Sequence, residues 1–489
     1  MSRQSSVGAK APLIAGAAAV EQHLDDPADA LDALGLMRIA LEAAADDAGS
    51  RALLAAADVL LFPQGMWTSA NPAQAIAPWN PGIRSIAADI GVLQQSLLGR
   101  ACAMIAAGTA EIVLVCGAEA KYRALRGQIL GVQVHDAATT GAPDERMMPA
   151  HEIITREEIE RGLPVPARQY AMIDTALRRA NGLGPEQHQQ ELAALWSRFS
   201  AVAVDNPHAW NRTFVDPTGM RQAPMVAWPY TKLHCSQWNV DQAAGLVLCS
   251  ADVADRRGVS RDRRVFAALG VESNLMVPMT HRREIHRSPA VAAVRGAVVE
   301  HLGRDTPDIE HLDLYSCFPA AVQVQARELG IDPQRRLTVT GGMTFGGGPL
   351  NNYTLQATVA MVAALRDHPD DTGLVTNVSG MLTKFGAAVW SCRPPIDGFR
   401  TVDVTAQATA TTGVVAVDPG HVGTAEVVTY TVAYDRGTPT LGVVVGDTPS
   451  GQRVVASTSD PDLMADMVTT EWCGRPIEVR GESLLGEAG

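Results

Sequence analysis

Aromatic side chains are few, 5% of a 489-residue chain, and no apolar run approaches the length of a bilayer crossing. The first lack argues against a binding surface of stacked rings; the second argues against a membrane-spanning helix, which needs ~20 apolar residues. Positive charge is also short: the formal net charge of −13 argues against nucleic acid as a main partner, since phosphate neutralisation needs basic clusters. The densest basic run, His281-Arg282-Arg283-Glu284-Ile285-His286-Arg287, is brief and reads as a solvated loop. Seven cysteines with no C-x-x-C pair point to reduced thiols and a cytoplasmic setting. Neither a metal-like His/Cys spacing nor a G-x-S-x-G elbow is present, so no metal is expected.

Apolar residues make up 46% and charged residues 19%, enough to bury a full core, with the alanine and valine bias of packed α/β layers. APLIAGAAAV, after Lys10, runs straight into EQHLDD and reads as a first buried strand rather than a signal-peptide core. The periodicity then predicts a helix over 32–47 with a stripe through Leu36, Ile39, Ala40 and Ala43, and a strand at Val59–Phe62. A helix over 92–107 is stopped by Gly108, and EIVLVCG follows as a parallel-type strand. Residues 121–228 are richer in charge, proline and tryptophan and read as an insertion into a first half formed by 1–120 and 229–265. A second βα half spans 266–398. RPPIDGFR then links it to a threonine- and valine-rich all-β module at 399–489. ACAMIAAGTAEIVLVCGAEA and TVAMVAALRDHPDDTGLVTNVSGM echo one another, as two copies of one unit would.

Three loops carry the candidate chemistry. GGMTFGGGPLNNYT precedes a helix with a buried stripe at Leu355, Val359 and Val362; bare backbone there can lay N–H groups against a ligand, or simply make a tight turn. HLDLYSCFPAAVQVQARELG is a strand and a helix, with Ser316 as cap and Cys317 at a helix N-terminus that favours a thiolate, although free cysteines are mostly inert core residues. In GLVTNVSGMLTKF a strand enters a turn at Asn377-Val378-Ser379-Gly380. Loops opening on one side of a sheet are where ligands usually bind. His234 and Cys235, neighbours on an extended segment, should point apart and make a poor dyad.

GVLQQSLLGRACAMIAAG, PYTKLHCSQWNVDQAAGLVL, DLYSCFP, GGMTFGGGPLNNY and SGMLTKF, in this order, resemble the thiolase superfamily, and most closely thiolase-like proteins type 1 with an added C-terminal domain. The resemblance implies a five-layer αβαβα fold of two βαβαβαββ halves with an inserted loop domain. It also implies a coenzyme A thioester as ligand, acetyl-CoA acyltransferase chemistry and a setting in acyl-lipid metabolism. Working thiolases acylate a cysteine, activate it with a histidine, move a proton with a second cysteine and position an oxyanion water with an Asn or His. Carried across, those positions fall on Gly91, Gly348, Asn377 and Tyr315 here, with Ser316 in place of the acid beside the last. Cys102 lies inside its helix, spaced with Leu98 and Ile105 as a packing residue.

A nucleophile without a neighbouring base is weak, and here both positions lack their side chain. The expected function is therefore thioester binding without efficient Claisen chemistry, with Phe318, Gly347, Pro349, Asn352, Ser379 and Lys384 around the ligand and no covalently bound cofactor. An acyltransferase or thioester hydrolase using Cys317, with Tyr315 or Lys384 handling protons, is one alternative. A scaffold with 400–489 as its interaction surface is the other. The segment RSIAADIGVLQQ stands where typical thiolases pair strands to dimerise, and both a monomer and a homodimer remain open.

Overall fold

The computed structural model describes residues 8–152 and 154–488. The first half contributes β1 (Pro12–Glu21), β2 (Val59–Pro63), β3 (Arg84–Ala88) and β4 (Ile112–Ala120). Within the insertion lie β5 (Glu145–Met147) and β6 (Met225–Ala227); β7 (Tyr230–Thr231) follows it directly, and β8 (Asp241–Ser250) completes the half. The second half adds β9 (Val265–Ser273), β10 (His311–Asp313), β11 (Thr372–Ser379), β12 (Lys384–Ser391) and β13 (Arg400–Asp403). All of these except β6 and β7 form one path, β10-β11-β12-β9-β1-β8-β4-β2-β3-β5, with β13 paired to β9.

The predicted duplication is visible in the ladder. β2–β4, β4–β8 and β8–β1 run parallel, antiparallel and antiparallel; β10–β11, β11–β12 and β12–β9 repeat that series. Within the sheet the halves are joined by the short β1–β9 ladder, Leu13↔Phe266 and Ile14↔Val265. Helices Gln94–Ala107 and Tyr353–Asp367 occupy equivalent places and form the middle layer. The outer layers are Ala33–Asp47 on one side and Pro289–Leu302 with Pro319–Leu329 on the other. The first of these is capped by Asp32, whose carboxylate accepts from Gly35 N–H at 2.8 Å. Its buried stripe is Leu36, Met37, Ala40, Leu41 and Ala44, with Ile39 and Ala43 only half-buried. Gly108, at φ 73°, ends the 94–107 helix in the left-handed region where glycine carries no steric cost.

After β13, strands β14 (Val422–Asp435), β15 (Thr438–Asp447), β16 (Arg453–Thr458), β17 (Pro476–Arg480) and β18 (Ser483–Glu487) close a five-stranded barrel. The circuit β14-β15-β16-β18-β17-β14, with helix Pro461–Thr469 between β16 and β17, is the arrangement of an OB barrel. The tail is thus not all-β: it holds that helix and a second at Thr405–Thr411. Nor does it begin cleanly at 399, because β13 extends the body sheet. Val444, Val454 and Ala456 fill the barrel, while Val443, Val445 and Val455 turn outward into the main core. The insertion joins it too, through Ala433↔Ala227 and Trp228 N–H on Val432 O at 2.8 Å. The basic run is not simply solvated: Arg282 is buried, donating to Val277 O and Gly380 O, and its own carbonyl accepts from Arg453 of the barrel.

Candidate functional site

The N-termini of the two middle helices converge between the halves, and each is capped by the other half. Gln94 Oε1 accepts from Thr354 N–H at 2.7 Å, and Asn377 Oδ1 accepts from Gln95 N–H at 3.4 Å. One of the N–H groups at each helix start, whose partial positive charge would favour a thiolate or oxyanion, is thus already bonded to an amide oxygen. Lys384, buried, donates Nζ to Gly91 O at 2.5 Å, and burial lowers its pKa against the opposing pull of Glu272. Gly91 sits at φ 102°, a conformation few side chains share. So Gly91, Asn377 and Lys384 are brought together, with Ser379 beside Lys384 in the ladder.

The second cluster forms around Ser236 and Gln237. Ser236 N–H donates to Cys317 O at 3.2 Å, Gln237 N–H to Met343 O at 2.9 Å, and Gly348 N–H to Gln237 O at 2.8 Å. A Cβ on Gly348 would lie 3.2 Å from Ser236 Cβ, a tight contact that Ser236 would have to relieve by a few tenths of an ångström. Ser316 is not the helix cap; that is Phe318, and the Ser316 hydroxyl instead accepts from Met343 N–H at 3.0 Å. Behind it, buried Asp313 accepts from Tyr353 OH, Thr338 Oγ1, Thr340 Oγ1 and the N–H groups of Val339 and Thr340, at 2.8–3.2 Å. Burial raises its pKa against those bonds. This network fixes the glycine stretch, and Pro349 O accepts from Asn352 N–H at 2.7 Å.

Cys317 precedes the cap rather than following it, and burial pushes its thiol up to about 12. Tyr315 is buried and shifted upward for the same reason. Phe318 stacks on Tyr170 at 4.7 Å and Tyr230 at 5.8 Å. Cys102 is buried in its helix, as its spacing implies. His234 and Cys235 leave a short 3-10 turn rather than an extended strand, and His234 Nδ1 bonds Thr231, not the thiol. The Asn377–Ser379 segment is still strand; the turn comes after it, with Gly380, Met381 and Leu382 successively left-handed at φ 61°, 54° and 69°. Two non-glycine residues in that region carry strain, and the turn is held by Arg282 on Gly380 O and Ser288 Oγ on Leu382 O.

Gln94, Gln95 and Glu119 stand out only in the structure. Glu119 faces the same side of β4 as Gly117, accepts from Met66 N–H at 3.0 Å, and is pushed by burial up to about 7. Asn352 presses on Gly117, where a Cβ would meet its Oδ1 at 2.6 Å, yet neither of its amide atoms has a partner. Gln95 Oε1, Thr354 Oγ1 and Trp67 Nε1 are also buried without one. The doubled glutamine at a predicted helix start and the carboxylate ending an apolar strand were the available signals.

The fold built this way is that of the thiolases. The acetyl-CoA acetyltransferase from Syntrophomonas wolfei aligns with a TM-score of 0.56 at 16% identity, covering 78% of this chain and 99% of that one. Human mitochondrial 3-ketoacyl-CoA thiolase gives 0.56 at 14%, covering 78% and 98%. More particularly, residues 403–483 match the family model of the thiolase-like protein type 1 additional C-terminal domain. The whole chain follows the monomeric SCP2-thiolase-like protein type 1 from Mycobacterium smegmatis, with a TM-score of 0.80 at 24% identity over 97% of this chain and 98% of that one. No curated protein matches the chain.

Proposed function

We propose that this chain binds an acyl-CoA-type thioester without catalysing thiolysis or Claisen condensation. The reciprocal capping of the two middle helices carries the reading: Gln94 and Asn377 each take up one N–H at a helix start, where the dipole would otherwise favour a thiolate or an oxyanion. The orphaned atoms of Asn352, Gln95 and Trp67 support a polar ligand, because buried donors and acceptors rarely stay unpaired. The ligand's carbonyl and amide groups would meet them beside Phe318, Gly347, Pro349, Ser379 and Lys384. Catalysis from Cys317 is disfavoured by its burial, its raised pKa and its place before the cap. A scaffold role through the barrel is disfavoured where β15 and β16 already pack on the body.

The test is calorimetry with acetoacetyl-CoA alongside a thiol-coupled cleavage assay. Saturable one-to-one binding with cleavage at the buffer rate is expected. Robust turnover overturns the reading, and so does a complete lack of binding.

A further inference from the structure

A cleft of about 400 Å³ lies along the Gln94–Ala107 helix, where β9, β13 and Met147 of β5 come against it. Both halves, the insertion and the tail thus each supply a wall, a usual setting for ligand sites. Its floor is bare: Gly99 and Gly270 both line it, and a Cβ on Gly270 would stand 3.8 Å from Gly99 Cα. From Gln95 to Ala103 the helix advances about 12 Å, which sets the length of the trough.

One end is rich in acceptors. Glu272 and Asp403 are register partners on neighbouring parallel strands, so their carboxylates stand side by side on one face, and both line the cleft. Glu272 accepts from Ser96 Oγ at 2.5 Å and Asn274 Nδ2 at 3.1 Å, and Asp403 from Thr405 N–H at 2.7 Å; neither makes an ion pair among the described residues. Like charges set opposite one another cost stability unless a cation lies between them. The cations nearby are committed elsewhere: Arg100 pairs with Glu145, and Lys384, although it feels Glu272, donates to Gly91 O.

Gln95 is an independent sign of a ligand. It is 3% exposed, it lines the cleft, and its Oε1 has no hydrogen-bond partner. A buried acceptor left open beside two unpaired carboxylates calls for a donor-rich, positively charged group. Two carboxylates without a histidine or cysteine are few charged donors for a dedicated metal site, and no metal-holding group of three such residues occurs among the described residues. Toward the other end Ala103 and Met147 give apolar walls that suit a short carbon stem.

We propose that this cleft binds a primary alkylammonium ion, its charge between Glu272 and Asp403 and its carbon stem along Gly99 toward Ala103 and Met147. The site goes beyond the thioester reading and does not rest on it; Gln95 borders the thioester position through its N–H and this cleft through its carboxamide. Hexylamine, hexanol and hexanoate, titrated calorimetrically into the full chain at neutral pH, test it. Hexylamine should bind at least tenfold tighter than hexanol, and hexanoate not measurably. Asp403→Asn, at an exposed position, should weaken hexylamine at least fivefold and leave hexanol unchanged. It should not lower the melting temperature, because it relieves the like-charge contact. Thr401→Trp, also exposed and reaching over Gly99, should fill the trough and weaken hexylamine at least tenfold. Nα-acetyl-lysine methylamide binding as tightly as hexylamine upholds the proposal and assigns the ammonium to a lysine side chain; hexylamine binding alone upholds it for a free amine. Hexylamine binding no tighter than hexanol, or unmoved by Asp403→Asn, overturns it. These titrations contain no CoA ligand, so failure here is distinguishable from failure of the thioester reading.

Discussion

The two halves share a strand order and a central helix but end those helices differently. In the first half the helix start is reached by Asn377 from β11, a carboxamide on a rigid strand; in the second it is reached by Gln94, itself part of the opposite helix. Only the second half carries the Asp313 network, which ties Thr338, Thr340 and Tyr353 behind the glycine stretch. One framework has thus been finished in two ways. The finish joins the halves through side-chain caps that cross from one to the other.

The largest effect should come from the feature the first half lacks. Asp313→Ala leaves several buried donors unsatisfied and should cost roughly 3–5 kcal/mol in urea unfolding. A loss below about 1 kcal/mol would mean that the glycine stretch is held by packing alone.

Next comes Glu119, the first half's buried carboxylate. Its folded value of about 7 lies above the ordinary 4.5, so the folded state retains a proton that the unfolded chain has released. The linked stability is fully present below pH 4.5 and is lost as pH rises toward 7, on the order of 3 kcal/mol in total. Asp241, raised by burial to about 6, adds to the same fall. Glu119→Gln should flatten much of the dependence and gain stability at pH 8; denaturant midpoints at pH 5 and pH 8 decide it.

The caps themselves are worth less. Gln94→Ala and Asn377→Ala should each cost about 1 kcal/mol, as lost helix caps do. Near-equal losses would show that the two finishes are energetically equivalent. A much larger loss for Asn377→Ala would show that the strand-borne amide also anchors β11.

Local grammar made the framework legible. Alanine and valine periodicity, Gly108 as a stop, and the echo between 101–120 and 358–381 all describe contacts within short stretches. The caps were not legible, because Asn377 and Gln95 are 282 residues apart and an asparagine in a strand looks like any other. Ser316 looked like a cap because serine caps helices, but its hydroxyl was claimed by Met343 N–H from another loop. The barrel's helix at Pro461–Thr469 was overlooked among threonine- and valine-rich strands, although Asp460 caps it in the ordinary way.

The smallest energetic effect concerns the outer edge of the first half. β3, in the segment that stands where typical thiolases pair strands to dimerise, is paired along Ile86–Ala88 by β5 from the insertion. A covered edge offers no row of free N–H and C=O groups to a second copy, so the chain should run as a monomer of 51.7 kDa in light scattering. Met147→Pro removes an N–H on the side of β5 that faces β3, the side on which Met147 O accepts from Asp89 N–H at 3.0 Å. Stability should fall by no more than about 1 kcal/mol, the net value of one hydrogen bond at a short edge strand. The mass should nonetheless become concentration-dependent, because the uncovered β3 edge can then pair between molecules. If the variant stays monomeric at high concentration, the insertion is not what keeps the copies apart, and the barrel's packing on the body becomes the better explanation.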